Sequence, residues 1–215
     1  MPYVRHNLMT FDPEKRDAMM SVLNTGLDRV NGIPGLRAVR VHFDTVQGAD
    51  NRLVITGFYD DKQAAEAAQE RVKADLSTLS EFVVGEPIVR EGEILWAFDA
   101  DGAPSIGQVV SGYMRHTTVG IDPSKLDALV AYADSTVGTL NSISGLRRIR
   151  VAAVKGTPPY KSEDRITVSS AFDSKEAADA ASEQTAGIWA GMAEFLADDP
   201  ERRVVGGDLI YAYSR

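Results

Sequence analysis

The chain repeats itself. Sliding the 215-residue sequence by 110 positions lays Tyr113-Met-Arg115-His116 over Tyr3-Val-Arg5-His6, Asp122-Pro123 over Asp12-Pro13, and Gly145-Leu146-Arg147 over Gly35-Leu36-Arg37. Between residues 3–41 and 113–151, 15 of 39 aligned positions are identical. The offset grows to 113, which sets Asp173 over Asp60 and Lys175 over Lys62. It reaches 115 at the end, where Asp208-Leu-Ile-Tyr211-Ala-Tyr213 answers Glu93-Ile-Leu-Trp96-Ala-Phe98. A duplicated chain of this length reads as two domains of about 100 residues rather than one large one. The expected division is 1–98, a linker at 99–111 rich in Gly, Pro and acid, and 112–215.

Within each copy the order of elements follows from local pattern. Tyr3–Met9 has strand length, and Asp12-Pro13 ends it with a favoured N-cap and a residue suited to the first helical position. Apolar residues at Met19, Val22, Leu23, Leu27 and Val30, and at Leu126, Leu129, Val130, Ala133, Val137 and Leu140, recur at helical spacing. After Gly35, Arg37–Phe43 alternates: Val39, Val41 and Phe43 on one face, Arg40 and His42 on the other. A turn at Gln47–Asn51 leads to Leu53–Tyr59, and the second copy carries a loop three residues longer, within Thr157–Asp164. Capping boxes at Asp60/Gln63 and Asp173/Glu176 are expected to open alanine-rich second helices, and Ile94–Phe98 and Leu209–Tyr213 to be the closing strands. The result is βαββαβ twice. One sheet with two helices on a single face leaves its other face bare. The sequence therefore predicts an α+β fold: two ferredoxin-like βαββαβ repeats packed sheet to sheet as an intramolecular dimeric α+β barrel.

Charge and composition narrow the partners. Residues 1–105 carry 11 basic and 17 acidic groups and residues 106–215 carry 12 and 14, so the halves contribute −6 and −2 to a net charge of −8. Neither half has an electrostatic drive toward nucleic acid or an anionic membrane. No apolar run approaches the roughly 20 residues of a membrane helix, and a cytoplasmic setting is expected. With no cysteine, thiolate chemistry and disulfides are excluded.

Asn31-Gly-Ile-Pro-Gly-Leu36 before the second strand and Tyr59-Asp-Asp-Lys-Gln-Ala-Ala65 opening the second helix resemble the antibiotic biosynthesis monooxygenase (ABM) family of the dimeric α+β barrel superfamily. The resemblance implies a ligand held between the sheet and the helices of one repeat. It also implies either cofactor-independent oxidation of aromatic substrates or haem degradation. Asn7 matches the Asn of the haem-degrading branch, but the Trp position holds Phe58 or Tyr59, and no histidine follows His42 or His116 in its repeat. Thr117 stands where Asn7 does in the first copy.

The residues themselves offer few catalytic groups. His6 and His116, at equivalent positions, are the readiest general bases near neutral pH, and could equally serve as structural hydrogen-bond partners. One such histidine per repeat, without cysteine or clustered carboxylates, gives no metal site. Arg5 and Arg115 suit an anion or phenolate clamp, or ion pairs with Glu93 and Asp208. Phe58, Tyr59, Trp96 and Tyr211 either line a cavity or fill it, and Trp189 reads as core. The assignment is thus His6, Asn7 and Tyr59 as catalytic, with Arg5, Phe58, Trp96, His116, Arg115 and Tyr211 contacting a small apolar or aromatic molecule, no cofactor and no metal. An ABM-like monooxygenase and a non-catalytic ligand-binding or stress-related protein of the same fold both meet this description. The intramolecular pseudo-dimer leaves further homodimerisation open.

Overall fold

The computed structural model describes residues 1–27, 29–46, 51–101, 112–155 and 164–215. Residues 47–50 of the expected turn, 157–163 of the longer loop and most of the linker lie outside them. The first copy gives β1 (Tyr3–Thr10), α1 (Arg16–Leu27), β2 (Leu36–Phe43), β3 (Arg52–Tyr59), α2 (Lys62–Leu79) and β4 (Ile88–Asp99). The second gives β5 (Tyr113–Gly120), α3 (Leu126–Ser135), α4 (Val137–Asn141), β6 (Leu146–Lys155), β7 (Asp164–Phe172), α5 (Lys175–Gln184), α6 (Ala186–Met192) and β8 (Arg203–Ser214). This is the βαββαβ plan, twice.

The helices begin where chain chemistry starts them. Asp12 and Asp122 accept the backbone N–H of Glu14 and Ser124, and each leads through Pro into a short 3-10 turn before its helix. The second helices start one residue later than the expected capping boxes. Asp61 caps Ala64 N–H at 2.8 Å and Ser174 caps Ala177 N–H at 3.3 Å. Asp60 and Asp173 face Arg37 and Arg147 instead, as ion pairs across the turn. Gly35 and Gly145 enter β2 and β6 at φ of 72° and 76°, where a side chain would be strained and a Cβ would strike Ala64 or Ala177.

The two sheets face one another, as the bare apolar faces require, and their edges also join. Every strand is antiparallel to its neighbours in a closed barrel ordered β1-β3-β2-β8-β5-β7-β6-β4. Closure depends on β4 and β8, which are about twice as long as the sequence suggests. β4 pairs with β1 through Ile88–Glu93 and with β6 through Glu91–Asp99; β8 pairs with β5 and then with β2. At each handover lies a glycine. A Cβ on Gly92 would sit 1.6 Å from the Ala153 carbonyl oxygen, and one on Gly207 would sit 1.8 Å from that of Phe43. Only hydrogen at these two equivalent positions lets the backbones meet.

Strand alternation then makes two kinds of core. Outward residues such as Met9, Val41 and Leu53 pack beneath Met19, Leu23 and Leu27 of α1, and Ile149, Val151 and Ile166 pack beneath the helices of repeat two. Inward residues form small apolar clusters, Val4 with Ala152 and Val154, and Leu8 with Val54 and Val205. Between these clusters the barrel interior is polar. Among the described residues no helix is long and apolar enough to cross a membrane.

Candidate functional site

A cavity of about 460 Å³ lies between the sheet of repeat two and its helices. Arg115, Thr117, Val151, Val168 and Ser170 of the sheet form its floor, and Leu129, Ala133, Ala181, Ile188 and Trp189 its roof. The wall is predominantly apolar with a few hydroxyls and one cation at the sheet, the composition of a small-molecule site. Both tryptophans of the chain line it.

Trp96 reaches the cavity from the other copy. β4 has crossed into the sheet of repeat two by this point, placing Trp96 opposite Val151, and a bulge between Ile94 and Trp96 turns the indole outward. Its Nε1–H donates to Asp134 Oδ1 at 2.7 Å, which locks the ring against α3. Arg115 is held equally firmly, by Ala178 O and Ser182 Oγ at 2.8 and 2.7 Å and by Asp179 Oδ1 at 2.8 Å.

Two further residues open the space. Where repeat one has a continuous α2, repeat two breaks the equivalent helix at Thr185, between α5 and α6; Thr136 separates α3 from α4 in the first helical region, where repeat one passes from α1 to a 3-10 turn at Val30–Gly32. Each threonine donates its hydroxyl back to a carbonyl of the preceding turn, Ala133 O at 2.7 Å and Ala181 O at 2.8 Å, a pattern that bends helices. Both line the cavity. In repeat one the corresponding floor is filled from within. The Tyr59 ring lies across Gly57, with its hydroxyl 2.4 Å from where a Cβ would stand, over the position that Ser170 holds in repeat two.

The residues singled out from sequence are thereby separated. Trp96 and Arg115 meet in the repeat-two cavity. Phe58 and Tyr59 border a second cavity at one end of the barrel. Arg5 is buried against the helix side, donating to Ala65 O and paired with Glu91 rather than the expected Glu93. Glu91 stands directly opposite Arg5 in the β1–β4 register, whereas Glu93 stands opposite Tyr3. The equivalent of Glu91 is Gly206, opposite Arg115, so Arg115 turns to Asp179 on α5 and not to Asp208. Tyr211 donates its hydroxyl to Leu27 O at 3.1 Å, and Asn7, half-buried in β1, lines neither cavity.

His6 and His116 face the barrel interior, on the opposite side of the sheet from both sets of helices. The reason is alternation: Arg5 points to α2, so His6 points inward. They meet there with edge-to-face rings 4.9 Å apart, and His42 stacks on His116 at 5.4 Å. Each Nδ1 is bonded, to Thr56, Ser169 and the Phe43 carbonyl, and each Nε2 is buried without a partner among the described residues. Burial pushes the His6 pKa down to about 3, helped by Arg90 and His42; His116 is driven well below its usual value by burial first and then by the proximity of His6, His42 and Arg90, and His42 is lowered by burial. Neutral imidazoles sealed in a barrel cannot serve as bases for a ligand under the helices. Trp189 packs against the core as expected and also lines the cavity, and Ser170, Thr136 and Thr185, unremarked in sequence, line it too. Their only sequence signal is contrast between the copies, Gly57 against Ser170 and Tyr59 against Phe172.

Among the described residues no group of three or more His, Cys, Asp or Glu side chains is arranged to hold a metal ion. The cavity lining contains no histidine, so it does not fit haem held by an imidazole.

No family model matches the sequence, and no curated protein matches it. Solved structures match over the whole length. An anthrone oxidase-like protein superposes with a TM-score of 0.71 at 17% identity, covering 99% of this chain and 93% of that one. A proposed monooxygenase from Fusobacterium nucleatum subsp. nucleatum ATCC 25586 gives 0.75 at 10% identity, covering 100% and 94%. Another, from Lactobacillus acidophilus NCFM, gives 0.72 at 9%, covering 99% and 96%. The likeness establishes a shared fold, the tandem α+β barrel expected of an ABM-like chain.

Proposed function

We propose that this chain binds a small, mainly apolar aromatic molecule in the cavity of its second repeat, and that a bound molecule with an acidic C–H is oxidised there by dioxygen. The observation that carries this reading is the asymmetry of two otherwise equivalent repeats. In repeat two the second helix is interrupted at Thr185, whereas in repeat one α2 is continuous and Tyr59 fills the floor. The shared fold with an anthrone oxidase-like protein supports an aromatic ligand of that kind.

Such a substrate loses a ring C–H proton to give an enolate whose charge rests on oxygen. Arg115, already fixed by three partners, is placed to stabilise that oxygen, and Thr117 and Ser170 offer hydroxyls beside it. The proton passes to water, because the lining holds neither carboxylate nor imidazole. The carbanion adds dioxygen, and loss of water from the peroxide leaves a carbonyl, so one dioxygen oxidises one CH2 to C=O and releases one water. The absence of a base in the lining favours a second reading, binding without turnover.

One experiment tests both. Anthrone titrated into the protein is expected to quench the fluorescence of Trp96 and Trp189 saturably, and Val168→Phe, which adds a ring to the floor, should weaken binding at least tenfold, about 1.4 kcal/mol. Oxygen consumption above the uncatalysed rate marks turnover, and quenching without it marks binding alone. Equal affinity in Val168→Phe would remove the ligand from this cavity.

A further inference from the structure

The chain is acidic overall, yet one end of its barrel is lined by arginines. Where β1 begins and β4 and β8 finish, Arg37, Arg40, Arg147, Arg148 and Arg150 border a cavity of about 290 Å³. Its inner wall is apolar, formed by Phe58, Ile94, Met114, Ala171 and Leu209. The guanidiniums are unevenly compensated. Arg37 pairs with Asp60 and Arg147 with Asp173, both outside the barrel wall. Arg148 and Arg150 both pair with Asp99, at 2.9 Å each.

Arg40, the counterpart of Arg150, pairs with no carboxylate among the described residues. It donates to the carbonyls of Val39 and Tyr213 at 2.7 and 2.5 Å and to Ser214 Oγ at 2.8 Å. The cause is a break in the internal symmetry. Ser214 occupies the position equivalent to Asp99, Arg148 that of Ala38 and Arg215 that of Ala100, so the mouth gains two arginine side chains and loses one aspartate relative to a symmetric barrel. Burial, with repulsion from Arg148 and Arg150, pulls the Arg40 pKa down to about 10. Like charges gathered in a half-buried cavity cost stability unless a counter-charge joins them.

We propose that this barrel mouth is a binding site for a small organic carboxylate, its head held by Arg40, Arg148 and Arg150 and its apolar body against Phe58, Ile94 and Met114. A guanidinium fork matches a carboxylate in plane and charge, and the apolar wall selects against fully hydrated ions. The volume, at the lower end for ligand sites, limits the body to a single ring or short alkyl chain. This site lies on the other side of the sheet from the tryptophan-lined cavity and does not depend on its occupant.

Calorimetric titration of the full chain at low salt with phenylacetate, octanoate, acetate and inorganic phosphate tests the proposal. Phenylacetate and octanoate are expected to bind one to one, with acetate and phosphate at least about tenfold weaker. Ser214→Asp restores the missing carboxylate beside Arg40. It should reduce phenylacetate and octanoate affinity about tenfold or more while keeping the melting temperature or raising it, which separates lost binding from lost folding. Arg40→Gln should weaken binding similarly, and Val168→Phe should leave it unchanged. No saturable binding, equal affinity for phosphate, unaltered affinity in Ser214→Asp, or loss of binding in Val168→Phe would each overturn the assignment.

Discussion

Three histidines, all that the chain contains, meet inside the barrel, and their energetics dictate how the protein responds to acid. In the unfolded chain each has a pKa near 6.5, whereas in the fold all three are depressed, His6 to about 3. Below pH 6.5 the unfolded state therefore binds more protons than the folded state, and stability falls as pH falls, until pH reaches the folded values. His6 alone contributes about 1.4 kcal/mol per pH unit in that window, about 2 kcal/mol by pH 5, and His42 and His116 act in the same direction. Urea denaturation at pH 7.5 and pH 5 should show a large drop in midpoint; an unchanged midpoint would mean that the imidazoles are not sealed from water. Sequence alone paired His6 with His116 through the repeat and put His42 on the polar face of its strand. It could not join the three, because their meeting depends on how two sheets close on each other.

At the scale of elements, the strands that matter most were only half visible. Ile94–Phe98 and Leu209–Tyr213 have a clear aromatic pattern, but Ile88–Glu93 and Arg203–Asp208 carry Arg, Glu and Gly and do not read as strand. Their polarity has a structural reason: those halves run beside β1 and β5, where Glu91 pairs with Arg5, before handing over at Gly92 and Gly207 to the other repeat. Helices α3 and α4, and α5 and α6, likewise read as single helices, since a threonine within a helical pattern does not announce a bend. Gly92→Ala is expected to cost about 3 kcal/mol or more, because the added Cβ meets backbone that cannot rotate away. Thermal melting checks this; a variant as stable as the parent would show that the β4–β6 seam is not tightly closed.

For the whole molecule, duplication explained most of the architecture in advance, since a repeat with one bare sheet face needs a second. The proposed function was less legible, because it rests on differences between the copies rather than on what they share. Tyr59 lies over Gly57 in one repeat, Ser170 and Thr185 line the cavity of the other, and Arg40 meets Ser214 where Arg150 meets Asp99 at the barrel mouth. Each copy also completes the other: Trp96, encoded in the first half, walls the cavity of the second. The claim that the repeat-two cavity is the ligand site is tested most directly by a crystal structure with an anthrone-type aromatic bound. Density between Trp96, Trp189 and Thr117 is the expected result. Density over Gly57 in repeat one, with the Tyr59 ring displaced and the repeat-two cavity empty, would contradict it.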